Sequence, residues 1–217
     1  MKARLTPLAA VIAGGVFTAL ASAAEAPAAP SMKFSWVENP DATQVGIRTL
    51  GERTIDRIGS ALIMEVERVL TTQGLDTAVE ELHLKNLKLP RPVDGKPRVV
   101  AMKRTSLRIR NPDNAPDAAD MAALKLVAES LGGDEPPPKV LFQKVETPDA
   151  PVEWRVYRPI AVTEHCLLCH GKGDSLQPSV QSAVARHFPE DQAVNYSAYD
   201  WRGLIRVSIT EPMSRAN

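Results

Sequence analysis

Apolar residues recur at helical spacing from Val45 through Leu50, Ile55, Ile58, Leu62, Val66 and Leu70, which predicts a long amphipathic helix early in the chain. "NPDA" reads as its start, with Asn39 as cap and Pro40 in the first turn, and Gly74 closes the run. Gly46, Gly51 and Gly59 weaken this helix without excluding it. A second helix is predicted from Asp76 to about Leu87, with Val79, His83 and Leu87 in line on one face. The turn-rich "KLPRPVDGKP" follows. A third helix is predicted in "AADMAALKLVAES", stopped by Gly132 and Gly133.

Elsewhere the period changes from helical to two. Val152, Trp154 and Val156 alternate with Glu153, Arg155 and Tyr157, the pattern of a half-buried strand. Ile205, Val207 and Ile209 alternate in the same way with Arg206, Ser208 and Thr210. "RVVAMKRTSLRIR" and "KVLFQKV" are also strand-like, and "ETPDAP" is a hairpin-length loop. Short helices are expected over Cys166 to His170 and about Pro178 to His187. Helices first, then mainly hairpin-linked strands, imply an α+β fold with an antiparallel sheet.

The first residues follow a different logic. Lys2 and Arg4 precede the apolar run "LAAVIAGGVFTAL" and then the small-residue stretch "ASAAEAPAAP". That is the order of a secretory signal peptide, with cleavage expected after Ala23 or Ala26. The run is too short to span a bilayer. Residues 1–23 are therefore assigned as signal peptide, 24–38 as a flexible Ala/Pro-rich lead-in, and 39–217 as one domain. Export to the periplasm is the expected destination. Removing residues 1–23 takes two of the 26 basic residues and none of the 26 acidic ones, so the remaining chain is nearly neutral. Such a balance gives no reason to expect nucleic acid or an anionic membrane as partner.

The chemistry is concentrated in "TEHCLLCHGK", which holds both cysteines of the chain, Cys166 and Cys169, and two of its four histidines. Cys-x-x-Cys-His is the attachment signature of a c-type haem. Two thiols one helical turn apart can reach the two vinyl groups, and His170 then serves as proximal iron ligand. Three other readings use the same cysteines. A thioredoxin-like redox pair belongs beside a βαβ pattern that this sequence lacks. A zinc site would need His165 or His187 as further ligands, and a disulfide would close a very small loop.

Haem iron has a sixth position, and its occupant sets potential and reactivity. The candidates are His83, His165, His187, Met32, Met64, Met102, Met121 and Met213. His165 is tethered on the proximal side, and His187 reads as a surface helix end. A lone histidine on an apolar stripe is often a satisfied core residue, but a haem in the same domain favours His83 as metal ligand over Met102, Met64 and His187.

Three blocks, "KRTSLRIRNPDNAPD" (103–117), "YRPIAVTEHCLLCHG" (157–171) and "HFPEDQAVNYSAYDWRGLIRVSI" (187–209), occur in one order. In them the chain resembles the c-type haem domains of PAS-like fold, described from a cyanobacterial haem protein and found also as the sensing part of histidine kinases and chemoreceptors. The resemblance covers roughly residues 40–210. It implies a twisted antiparallel sheet flanked by helices, a long N-terminal helix, and one haem c attached through Cys166 and Cys169. It carries His170 over as proximal ligand and places Arg104 and Arg110 at the pocket, where a guanidinium can grip a propionate with two hydrogen bonds. Some members have a distal cysteine on the second helix, where this chain has Leu82, next to His83. Their Gly-Asp before Arg-Gly is here Tyr199-Asp200-Trp201-Arg202-Gly203. No output segment follows Thr210, so the chain is expected to be the haem domain alone.

Two functions suit these features. One is a periplasmic mono-haem cytochrome in electron transfer or redox sensing, working with a redox or signalling partner protein. The other is a gas-binding sensor module for nitric oxide, carbon monoxide or oxygen that signals through a separate partner. Haem peroxidase action ranks lower, because the sequence carries no arginine–histidine signature for it. The long N-terminal helix also offers a surface for pairing with a second copy.

Overall fold

The computed structural model describes residues 32–81, 88–134 and 136–212. Residues 1–31, including the expected signal peptide, lie outside this range, as do 82–87 and 213–217. Of the lead-in expected over 24–38, residues 24–31 lie outside the described residues, and Lys33–Trp36 forms a strand, β1. Its sequence, KFSW, has little pattern of its own; pairing with a distant strand makes it β. The long helix, α1 (Ala42–Thr72), is capped by Asp41 rather than Asn39. Asp41 and Gln44 form a capping box, each side chain accepting from the other's backbone N–H, and that reciprocal pair sets the start.

After α1 come α2 (Leu75–Glu81), β2 (Arg98–Thr105), a single turn at Pro112–Asn114, and α3 (Ala118–Leu131). The hairpin β3 (Leu141–Glu146) and β4 (Glu153–Ala161) leads to α4 (Glu164–His170), α5 (Pro178–His187) and β5 (Trp201–Thr210). The strands form one antiparallel sheet in the order β1-β3-β4-β5-β2. The α+β expectation therefore holds.

Each face of the sheet carries one helix. Ile47 and Ile55 of α1 pack on Phe142, Trp154, Val156, Ile205, Val207 and Ile209. Gly51 is what allows that approach: a Cβ there would lie 2.4 Å from Val156 Cγ2. On the other face Ala123, Leu124 and Val127 of α3 cover Leu141, Tyr157 and Leu204.

The half-buried strands expected from the alternation are in fact buried on both faces. Arg155 is 3% exposed, Tyr157 0% and Ser208 0%. Polar residues read as solvent-facing in sequence, but here α3 lies over them and supplies the partners. Asp120, fully buried, accepts from Arg206 Nη1 at 3.0 Å on both oxygens, from Arg155 Nη1 at 3.2 Å and from Tyr157 OH at 3.2 Å. Asp117, the cap of α3, takes Arg155 Nη1 at 2.8 Å on both oxygens. Buried charges persist where they are paired in this way.

Candidate functional site

The Cys-x-x-Cys-His segment forms α4, a helix of seven residues from Glu164 to His170, entered directly from β4. Its last turn ends at Gly171, where a Cβ would lie 2.6 Å from Leu167 O. Only glycine therefore fits directly after His170. Two hydrogen bonds then hold the following loop against the helix end: Asn195 N donates to Gly171 O at 2.7 Å, and Tyr196 N to His170 O at 3.0 Å. The underside is apolar, with Cys166 and Leu167 on Val162, Ala193 and Tyr196. Cys169 packs instead with Val79, Leu176 and Val180, which joins α2 and α5 to the motif.

The imidazole of His170 is fixed. Its Nδ1 lies 2.7 Å from Ala193 O, and a carbonyl oxygen only accepts, so Nδ1 carries the hydrogen. In the neutral ring this leaves Nε2 with a lone pair, the state of a metal-ligating histidine. Burial, with the nearby charges of Arg110 and Arg202, holds the pKa of His170 down at about 3, so the ring is neutral at ordinary pH. Tyr196 meets it edge-on with 6.4 Å between ring centres. Arg108 lies over the Tyr196 ring at 4.1 Å and Arg202 at 5.3 Å.

Both cysteines are free thiols. Burial pushes the Cys169 thiol up, against the opposing charge of Arg110. A redox-active dithiol shows the reverse, a thiolate favoured by its surroundings. Among the described residues no three His, Cys, Asp or Glu side chains converge as a metal site, so the zinc alternative finds no completing ligands there.

The two arginines marked in the sequence are held very differently. Arg110 Nη2 donates to Cys169 O at 2.6 Å, to Asp191 Oδ2 at 2.9 Å and to Ala193 O at 3.3 Å. Among the described residues the Arg104 guanidinium has no hydrogen-bond or ion-pair partner; its backbone N–H donates to Asn114 Oδ1 at 3.4 Å. Burial and the charges of Arg202 and Arg110 lower its pKa to about 10, and the charge of Cys166 opposes them. Arg104 is thus a half-buried cation repelled by neighbouring arginines, with Asp113 in the wall of the cavity that it lines.

Arg104 stands opposite Ile205 in the β2–β5 pairing and so faces the α1 side. With Met102, Ile58, Leu62 and Leu89 it lines a cavity of about 530 Å³, of the size that holds small molecules and cofactors. Cys166, Cys169 and His170 are not in that wall. Arg104 links the two, since its charge is felt at His170 as well as at Cys166. Two thiols, a neutral imidazole and Arg104 together fit a haem, which offers two vinyl groups for the thiols to add to, an iron and two carboxylates.

The remaining candidates divide cleanly. Met102 faces the cavity, whereas Met64 is 68% exposed. His165 and His187 are exposed, and Met121 lies on α3, across the sheet. Met32 precedes β1. His83, Leu82 and Met213 lie outside the described residues. Sequence reasoning missed Asp191, the Ala193 carbonyl, Tyr196 and Arg202. Their block was quoted, but two of these roles rest on loop backbone geometry that residue type does not encode.

No curated protein matches the chain. Among solved structures it is similar to the cyanobacterial heme-protein Tll0287, at 25% identity over 54% of this chain and 63% of that one, with a TM-score of 0.39. It thus spans less than two thirds of that protein's length. The Tll0287-like family model matches residues 70–210, more than half of the sequence and all of the Cys-x-x-Cys-His site, and the chain belongs to that family.

Proposed function

We propose that the chain is an exported mono-haem c-type cytochrome of PAS-like fold, acting in electron transfer or redox sensing in the periplasm with a partner protein. The observation that carries this is His170, a neutral imidazole with Nδ1–H committed to Ala193 O and Nε2 left to ligate, one residue after a helical pair of free thiols. Cys166 and Cys169 attach the haem, and His170 binds the iron on the proximal side. Arg104, without a side-chain partner among the described residues, would pair with a propionate. An attached haem brings a one-electron ferric/ferrous couple. Membership of the Tll0287-like family, whose namesake is a cyanobacterial heme-protein, supports the cofactor class. The charged, apolar and small-residue order of residues 1–26 supports export.

The test is maturation of the full chain in a bacterial host that attaches haem c. Wild type is expected to retain haem after denaturing electrophoresis and to show low-spin spectra unmoved by carbon monoxide. The Cys166→Ala/Cys169→Ala double variant is expected to lose all covalent haem. Haem surviving denaturation in that variant would sink the attachment assignment. Ready carbon monoxide binding by wild type would replace electron transfer with gas sensing.

A further inference from the structure

The grip of Arg110 has a consequence for the iron's immediate surroundings. The Ala193 peptide is held from both sides. Asp191 Oδ1 accepts from Ala193 N at 2.8 Å, while Ala193 O accepts from His170 Nδ1 at 2.7 Å and from Arg110 Nη2 at 3.3 Å. Arg110 and Asp191 close this clasp on each other at 2.9 Å, with side chains only 13% and 7% exposed. The same Arg110 nitrogen reaches the carbonyl of Cys169 at 2.6 Å. One ion pair therefore spans the second attachment cysteine and the carbonyl that orients the proximal imidazole.

We propose that the Arg110–Asp191 pair is a positioning device that sets the reduction potential of the site, by fixing and polarising the Ala193 carbonyl to which His170 donates. This rests on the haem reading above. A carbonyl whose lone pairs are shared with a guanidinium accepts less strongly from the imidazole N–H, so His170 is a weaker electron donor to a metal on Nε2. The positive charge beside the site also disfavours the ferric form. Both effects raise the potential. Asp191 opposes the second effect, because its carboxylate offsets the Arg110 charge.

The pair therefore makes a prediction of opposite signs. Arg110→Gln removes the cation and leaves Asp191 behind, which lowers the potential. Asp191→Asn keeps an acceptor for Ala193 N and leaves Arg110 uncompensated, which raises it. Mere loosening of the 191–196 loop would move both variants in one direction.

The experiment is a redox titration of haem-matured wild type, Arg110→Gln, Arg110→Lys and Asp191→Asn. Covalent haem in each is checked by haem staining after denaturing electrophoresis. Arg110→Gln is expected to shift the ferric/ferrous equilibrium about tenfold toward ferric, or about 59 mV downward for one electron. Asp191→Asn should shift upward and Arg110→Lys should fall between wild type and Gln. Shifts of the same sign in Arg110→Gln and Asp191→Asn, with haem retained, overturn the proposal. If Arg110→Gln does not fold, Asp191→Asn decides alone, and a potential at or below wild type overturns it. Wild type without covalent haem would instead sink the haem reading, and this proposal with it.

Discussion

The two faces of the sheet treat their arginines in opposite ways. Under α3, Arg155 and Arg206 are almost fully buried and share Asp117 and Asp120 between them, with Lys103 Nζ 3.4 Å from Asp120. Burial works against the charge of Arg155, yet the Glu153 and Asp117 carboxylates outweigh it and drive its pKa upward. Among the described residues Arg206 Nε, Gln143 Nε2 and Ser208 Oγ still lack a partner, so this cluster is balanced in charge rather than complete in hydrogen bonds. Under α1, Arg158 pairs with Asp56 on the exposed side of the helix, and Arg104 has no side-chain partner among the described residues. The difference separates charges that are paired within the fold from one whose guanidinium has no partner among the described residues, the place where the proposed haem would supply an anion.

The largest effect should come from the face that is already paired. Asp120→Ala leaves Arg155 and Arg206 buried without their shared carboxylate and also removes the Asp120 side of the α3 capping box. Breaking a buried ion pair in this way costs about 3–5 kcal/mol, to be read as a lower midpoint in chemical denaturation. A loss below about 1 kcal/mol would mean that the cluster is more hydrated and less structural than its burial implies.

Arg104 should behave in the reverse sense, with a sign that depends on the cofactor. In protein made without haem, on the Cys166→Ala/Cys169→Ala background, Arg104→Met removes an unpaired cation and should be neutral or stabilising by about 1 kcal/mol. In the haem-loaded protein the same change deletes a charge-assisted hydrogen bond and should cost about 1.5–3 kcal/mol. Thermal or denaturant midpoints of the four proteins decide it. Destabilisation of equal size in both backgrounds would show that Arg104 serves the fold, as Arg155 does.

How far these roles can be read from sequence follows the same division. Amphipathic spacing from Val45 to Leu70 is a local signal, and α1 runs through all of it. β1 has no such signal, because Lys33–Trp36 becomes a strand only by pairing with Val145 and its neighbours more than a hundred residues away. The alternation in β4 and β5 correctly separates two faces. It misassigns the polar one, since no local pattern says that Asp117 and Asp120 will be laid over Arg155 and Arg206. At the site, Cys166, Cys169 and His170 stand together because contiguity in sequence places them on one short helix. Arg110 was expected at the haem pocket, but it is not in the cavity wall with Arg104 and is held instead by Asp191, a contact that spans 81 positions and leaves no local signal. The Ala193 carbonyl belongs to every residue type alike, and only the folded loop singles it out.

The smallest of these effects concerns how α1 meets its face. Its first half lies close on the sheet at Gly51, while Ile58 and Leu62 further along form a wall of the cavity beside Arg104. A methyl group at position 51 would fall 2.4 Å from Val156 Cγ2 and 2.7 Å from Val156 Cβ, too near for either to yield by small adjustment. Gly51→Ala should therefore cost about 1–3 kcal/mol by overpacking, despite the better helix propensity of alanine. Gly46, one and a half turns earlier, has nothing within 4 Å of such a methyl, so Gly46→Ala should gain up to about 1 kcal/mol. Denaturant midpoints of the two single variants, measured side by side, isolate contact from propensity because the host helix is the same. A gain at both positions would mean that α1 stands off the sheet in solution. The cavity wall would then be looser than the close approach at Val156 indicates, and Arg104 would be more open to water than its half-buried position implies.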